Sequence, residues 1–204
     1  MNQRLEQRRA PELLVTERLT LRRPRSTDAA AILQSYAGEP EVTRLLAWPR
    51  HRSIEDTMSF LTWSDQAWGS SPAGPYLILD REERVLGTTG LDVETPWRAA
   101  TGYVLRRDAW GRGLATEAAV AMIQLADELG VIRVHALCHP DNTASAHVLV
   151  KAGFLREGVL RRHSWFPNIG LDERRTSRCG PGSAGEGLNL GEAPGLDVHT
   201  GRDR

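Results

Sequence analysis

The sequence predicts a mixed α/β fold, one sheet with helices on both faces. Three observations point there. Short stretches of apolar–polar alternation are interleaved with stretches whose apolar residues recur every three or four positions. The strongest helical stretch, Leu114 to Leu129, follows a strand through a glycine-rich turn. The pattern is sustained from about residue 13 to 169, the length of one domain.

Residues 1–12 are a polar lead-in. Leu19-Thr20-Leu21-Arg22 alternates as a half-buried strand does, and Pro24 ends it. Ser26-Thr27-Asp28 offers an N-cap for a helix over Ala29 to Ala37. Ser53 opens a second helix to Trp68, with Ile54, Met58, Leu61 and Trp68 roughly along one face. After the Gly/Ser/Pro loop of Gly69 to Pro75, Tyr76 to Leu79 and Val85 to Val93 read as strands joined by Asp80-Arg81-Glu82-Glu83. Thr101 to Leu105 is a further strand. In the helix that follows, Leu114, Ala118, Met122, Leu125 and Leu129 share a face, and Gly130 terminates it. Val131 to Cys138 reads as a strand, Thr143 to Lys151 as a short helix, and Val159 to Phe166 as the last strand. Gly180 to Arg204 is dominated by Gly, Pro and polar residues, a composition unsuited to burying apolar surface. Residues 170–204 are therefore expected to be an irregular or disordered tail.

Composition narrows the function. The chain has 204 residues, with 26 Lys+Arg balanced by 26 Asp+Glu, which argues against nucleic-acid binding driven by net charge. No run of 18 apolar residues occurs, and the N-terminus lacks an apolar signal core, so no membrane partner and a cytoplasmic location are expected. Cys138 and Cys179 have no metal-ligand spacing, so no metal is expected, and Cys138, in an apolar run, reads as a buried thiol.

The segment Gly102-Tyr103-Val104-Leu105-Arg106-Arg107-Asp108-Ala109-Trp110-Gly111-Arg112-Gly113-Leu114-Ala115 is a strand, a tight turn and the start of a long helix. Gly111 and Gly113 let the backbone bend without a Cβ, exposing successive N–H groups. The helix behind them has unpaired donors and a positive dipole end, and Arg112 adds a movable cation. From the glycines alone two readings stand: a phosphate site, or a Gly-rich helix entry with no ligand. A dinucleotide fingerprint is excluded because its third glycine is replaced by Thr116, and no Lys-Ser or Lys-Thr completes a P-loop.

A second segment, Asn142-Thr143-Ala144-Ser145 through Lys151-Ala152-Gly153-Phe154, lies about 30 residues on. The Gly-x-Gly-x-Ala turn followed by Asn-x-x-Ser and then Lys-x-Gly-Phe resembles the GNAT superfamily of N-acetyltransferases. The run Trp110-Gly111-Arg112-Gly113-Leu114-Ala115-Thr116-Glu117-Ala118 is similar to its RimJ/RimL-like branch, as are Thr16-Glu17-Arg18-Leu19-Thr20-Leu21-Arg22 and Glu157-Gly158-Val159-Leu160-Arg161. Each motif alone is common; four in order on the expected elements are specific. The resemblance covers roughly residues 13–169.

That resemblance implies a mixed, mostly antiparallel central sheet with a V-shaped cleft for acetyl-CoA between the strands at 101–105 and 131–138. The pantetheine would pair with backbone of Val104 and Leu105. The pyrophosphate would sit on Trp110, Gly111, Arg112, Gly113, Leu114 and Ala115, with Asn142 and Lys151 bordering the cofactor. The implied reaction is direct acetyl transfer to a primary amine, a protein N-terminus or a small molecule, by a monomer or homodimer. The alternative is a non-catalytic or defective acyl-CoA-binding relative. Ser145 would protonate the departing thiolate, or serves only as a small residue in a packed helix. The Leu105 N–H is the candidate for stabilising the oxyanion.

Two departures bear on the chemistry. The acid that many relatives carry before the Gly-Tyr strand is missing from Ala99-Ala100-Thr101. Asp92 is the candidate base in its place, with Glu94, His139 and His135 as alternatives. The position at which many members carry an acid tyrosine is Leu149. The branch also ends in a further apolar strand that residues 170–204 are not expected to supply, which would leave the strand at 159–166 an exposed edge.

Overall fold

The computed structural model describes residues 8–169 and 193–200. The strands are β1 (Leu13–Val15), β2 (Thr20–Arg22), β3 (Pro75–Leu79), β4 (Val85–Thr95), β5 (Arg98–Leu105), β6 (Arg133–Cys138), β7 (Leu155–Ser164) and β8 (Ala193–Thr200). They form one sheet in the order β1-β2-β3-β4-β5-β6-β8-β7. Every neighbouring pair is antiparallel except β5 and β6, as a mixed, mostly antiparallel sheet requires.

The helices are α1 (Ala29–Ile32), which widens to π spacing over Leu33–Ala37, then α2 (Pro40–Thr43), α3 (Ile54–Ser70), α4 (Leu114–Leu129) and α5 (Thr143–Lys151). α4 buries Leu114, Ala118, Met122, Leu125 and Leu129, the stripe its periodicity predicts, and Gly130 ends it at φ 82°. This stripe packs with Tyr76, Ile78, Leu91, Ala99, Val134 and Phe154 in one cluster. α1 and α3 cover the other face, where Ile32, Tyr36 and Leu61 pack on Leu77, Leu79 and Val104. Asp28 does not cap α1 through its side chain: its carboxylate receives both Arg22 η-nitrogens, at 2.7 and 2.8 Å, and the Arg25 N–H. A cation–carboxylate pair outcompetes a neutral backbone cap.

The largest correction concerns the chain's end. The tail was expected to contain no strand, yet Ala193–Thr200 forms β8 between β6 and β7. Leu196 and Val198 stand at alternate positions in a Gly/Pro-rich sequence, a signal too short to outweigh composition. Pairing on both sides supplies the ladder that local propensity does not. β7 thus has a partner and begins at Leu155, four residues earlier than expected. The remainder of the expected tail, with Cys179, lies outside the described residues.

Candidate active site

β5 and β6 are hydrogen-bonded only where Arg98, Ala99 and Ala100 meet Arg133, Val134 and His135. Beyond that point β6 continues against β8, and residues 101–105 of β5 lose it as a neighbour. The two strands part into a wedge. Amides along an antiparallel strand alternate between its edges. The Arg106 N–H donates to Leu86 on the β4 side, so the amides of Leu105 and Tyr103 face the wedge and that of Val104 faces β4. The expectation that Val104 and Leu105 both offer backbone there is corrected for Val104: its amide is turned into the β4 ladder. The Leu105 carbonyl accepts the Trp110 indole N–H at 2.7 Å, which leaves the Leu105 N–H as the group directed into the opening.

The wedge leads to the glycine turn. After a short 3₁₀ turn, Arg107–Ala109, Gly111 and Gly113 adopt φ of 72° and 77°, the left-handed region where a side chain is strained. Gly113 is the N-cap of α4, and no side chain caps that terminus. The first intrahelical bond is from the Glu117 N–H to the Gly113 carbonyl, so the amides of Leu114 and Ala115 have no partner within the helix. A 16-residue helix thus presents open donors and its positive end at the mouth of the wedge.

α5 contributes from the other wall. Asn142 caps it, accepting the Ser145 N–H at 3.0 Å. The Ser145 hydroxyl lies 2.9 Å from the Tyr103 hydroxyl, and the Tyr103 hydroxyl also lies 2.9 Å from the Ser145 carbonyl. Tyr103 therefore ties β5 to α5 across the wedge. Burial pushes its phenol well above the usual range, outweighing the Ser145 hydrogen bond, and it remains a protonated donor. Cys138 is buried beside this group, and burial raises its thiol against the opposing Ser145 hydrogen bond. Lys151 is exposed at the far end of α5, six residues and about 9 Å of helix beyond Ser145.

Leu91 and Val93 pack into the α4-side cluster, as do Ala99 on β5 and Val134 and Ala136 on β6. By strand alternation Asp92, Glu94, Ala100 and His135 occupy the opposite face. The register places Asp92 beside Ala100 and Ala100 beside His135, a single row at the point where β5 and β6 part. Ala100 places only a methyl group between Asp92 and His135 in that row. Glu94 accepts from Arg98 Nε at 2.6 Å and lies 3.0 Å from His135 Nε2. Burial pushes its carboxyl upward, but these two partners more than offset that and hold it below the usual carboxylate range. Asp92 is exposed and makes no hydrogen bond or ion pair among the described residues. His139 is buried, with Nδ1 accepting the Asp141 N–H and its ring edge-on to Phe166 at 4.7 Å. Leu149 is fully buried in the α4-side core.

The same face of the sheet is rimmed by residues 43–52. Asn168, not singled out from the sequence, ties this rim to the segment after β7. Its Nδ2 donates to the carbonyls of Thr43 and Trp48, both at 2.8 Å, and its Oδ1 accepts the Arg50 N–H at 2.8 Å. Trp48, His51, Phe60 and Trp63 follow one another at ring separations of 5.4, 6.2 and 6.0 Å. A cleft of about 400 Å³ here is lined by Leu33, Gln34, Glu39, Arg50, His51 and Arg52, among others.

Residues 18–155 match the acetyltransferase (GNAT) domain family. The chain belongs to the GNAT acetyltransferase family. GNAT enzymes are acyltransferases that use acetyl-CoA. The chain is 32% identical over 154 residues to the uncharacterized N-acetyltransferase p20 of Bacillus licheniformis, covering 74% of this chain and 86% of that one. Its fold is shared with the microcin C7 self-immunity acetyltransferase MccE solved with acetyl-CoA and AMP (TM-score 0.75, 20% identity, 95% of this chain and 98% of that one). It is shared equally with RimL, a ribosomal L7/L12 α-N-protein acetyltransferase solved with coenzyme A (TM-score 0.73, 20% identity, 92% and 97%).

Tyr103 is legible in the sequence only as part of a motif, because its hydroxyl's partner on α5 lies 42 residues away. No local signal marked Asn168, whose bonds span up to 125 residues.

Proposed function

We propose that this GNAT protein transfers an acetyl group from acetyl-CoA directly to a primary amine, on a protein N-terminus or a small molecule. One observation carries the reading: the parting of β5 from β6 leads to an α4 N-terminus that no side chain caps. Pyrophosphate at Trp110, Gly111, Arg112, Gly113, Leu114 and Ala115 would meet the amides of residues 111–115, the positive helix end and the Arg112 cation, the Trp110 N–H being given to the Arg107 carbonyl. The pantetheine would run along the β5 edge, where the Tyr103 and Leu105 amides lie. Asn142 would border it by fixing the start of α5. Lys151, exposed and farther along that helix, would meet only the outer, phosphate-bearing part of the ligand.

In this reading a neutral amine attacks the thioester carbonyl, with no acyl-enzyme. The Leu105 N–H stabilises the charge developing on the carbonyl oxygen. Asp92 takes the ammonium proton; its side chain, with no ion pair among the described residues, suits this task better than that of Glu94, which Arg98 and His135 already engage. Ser145 passes its hydroxyl proton to the departing thiolate and recovers one from water, while the Tyr103 hydroxyl, which stays protonated, holds the Ser145 side chain in place. The acceptor enters between the 43–52 rim and residues 165–168. The alternative, a non-catalytic or defective acyl-CoA-binding relative, predicts acetyl-CoA binding without thiol release.

Calorimetric titration with acetyl-CoA, CoA and NADH tests the reading. Selective binding of acetyl-CoA in the micromolar range, followed by thiol release with one or more of a panel of amines, is expected. A folded sample that binds none of the three would overturn it.

A further inference from the structure

Two family-like segments a hundred residues apart in the chain meet at one carboxylate. Glu117, in the first turn of α4, accepts the Thr16 hydroxyl at 2.6 Å, the Arg18 N–H at 2.8 Å and Arg18 Nε at 2.6 Å. The guanidinium then reaches into the glycine turn, where Arg18 Nη1 donates to the Arg112 carbonyl at 2.8 Å. A Cβ built on Gly113 would lie 3.5 Å from Arg18 Nη2. Arg18 thus grips both the turn and the helix that the turn enters.

The electrostatics argue that this grip serves a ligand. A carboxylate in the first turn of a helix is favoured by the dipole but repels an anion bound at the same terminus. Burial pushes the Glu117 carboxyl up, yet the bonds from Thr16 and Arg18 outweigh it and hold the group below the usual range. Its charge is spent on Arg18. The arginine side chain stays 43% exposed, so its remaining positive field projects beside Gly113 toward the open amides. Fixing the Arg112 carbonyl fixes the Arg112–Gly113 peptide plane, and with it the Gly113 N–H on the opposite side of that plane.

We propose that Arg18 is a positioning residue for a diphosphate-bearing ligand: through Glu117 and the Arg112 carbonyl it holds the amides of residues 111–115 outward and cancels the carboxylate charge beside them. This rests on the reading of that turn as the pyrophosphate site. A merely structural tie between the β1–β2 connection and α4 would affect all ligands and the fold alike. A positioning role affects only ligands that carry the diphosphate.

The experiment compares the full chain with Arg18→Ala and Arg18→Lys, using two probes: acetyl-CoA by calorimetry, and S-acetylpantetheine, which lacks the diphosphate and nucleoside, by NMR shift titration. Melting temperature is recorded for each protein. Arg18→Ala is expected to weaken acetyl-CoA binding about tenfold, the scale of one charge-assisted contact, and to leave S-acetylpantetheine affinity unchanged. Arg18→Lys, which keeps the cation but lacks the fork that reaches both partners, should fall between, and it decides the matter if the alanine variant does not fold. Unchanged acetyl-CoA affinity, or an equal loss for both probes, overturns the proposal. Failure of the wild-type chain to bind acetyl-CoA would instead overturn the reading beneath it.

Discussion

The two halves of the proposed site, one for the cofactor and one for the acceptor, are assembled at different sequence ranges. The cofactor half is built mainly from β5, the glycine turn and the start of α4, about twenty consecutive residues whose types dictate their conformations. The proposed acceptor half draws on Asp92 of β4 and His135 of β6, set in one row by sheet register, and on the 43–52 rim and Asn168, tied to each other by long-range hydrogen bonds. A site made locally is specified by residue types at fixed spacing. A site made by topology is specified by the whole sheet, and each contributing residue looks ordinary where it stands.

The sharpest way to break this comparison is Gly111→Val. The position requires φ near 72°, which a β-branched residue resists, while no heavy atom lies within 4 Å of an added Cβ. Affinity for acetyl-CoA should fall at least about a hundredfold, with circular dichroism showing an intact fold. Unchanged affinity would remove the turn from the cofactor half. Asp92→Asn attacks the other half. It should lower kcat by about 10²–10³ with the Kd for acetyl-CoA unchanged, because the base acts on the acceptor's proton. A wild-type rate would move the proton acceptor elsewhere in the row. Ser145→Ala, between the halves, should lower kcat about tenfold, more than it weakens cofactor binding. Equal rates of the variant and the wild type would leave Ser145 a packing residue.

The contrast also explains what was legible. The α4 stripe and Gly130 stop were readable because helical spacing is a local property. Val104 was assigned to the wedge because residue identity does not reveal which edge an amide faces; only the β4 register decides that. Thr16 and Arg18 were recognised as part of a motif without a role, since Glu117 gives no sign of choosing partners a hundred residues upstream. β8 was missed because Gly and Pro lower local strand propensity, while the energy that forms it comes from ladders to β6 and β7. That Ala99-Ala100-Thr101 carries no acid is plain in the sequence, but the row of Asp92, Ala100 and His135 follows only from the pairing of three strands.

Asn168→Ala sharpens the acceptor half further. It removes three hydrogen bonds and leaves the Thr43 and Trp48 carbonyls and the Arg50 amide to water. A loss of about 1–3 kcal/mol in unfolding free energy is expected, with a raised KM for the acceptor and an unchanged Kd for acetyl-CoA. A change in cofactor affinity would show that the halves are not separable.

The smallest expected effect concerns acid stability of the cofactor half. Glu117 has a folded pKa below its unfolded value, which is about 4.3 for an unperturbed glutamate. The deprotonated form is the one the fold favours, so its contribution is fully present above that value and is lost as pH falls through the folded pKa. Arg18 is 43% exposed at the pair, so solvent screens the interaction and the contribution is about 1 kcal/mol or less. Urea unfolding of the wild type and Glu117→Gln between pH 6 and 3 isolates it, because Asp28 and Glu94, also held low, titrate equally in both proteins. The stability gap should be constant from pH 6 to 5 and shrink below about pH 4.3. A gap that widens on acidification would mean that the fold favours the protonated carboxyl, and that Arg18 does not neutralise it.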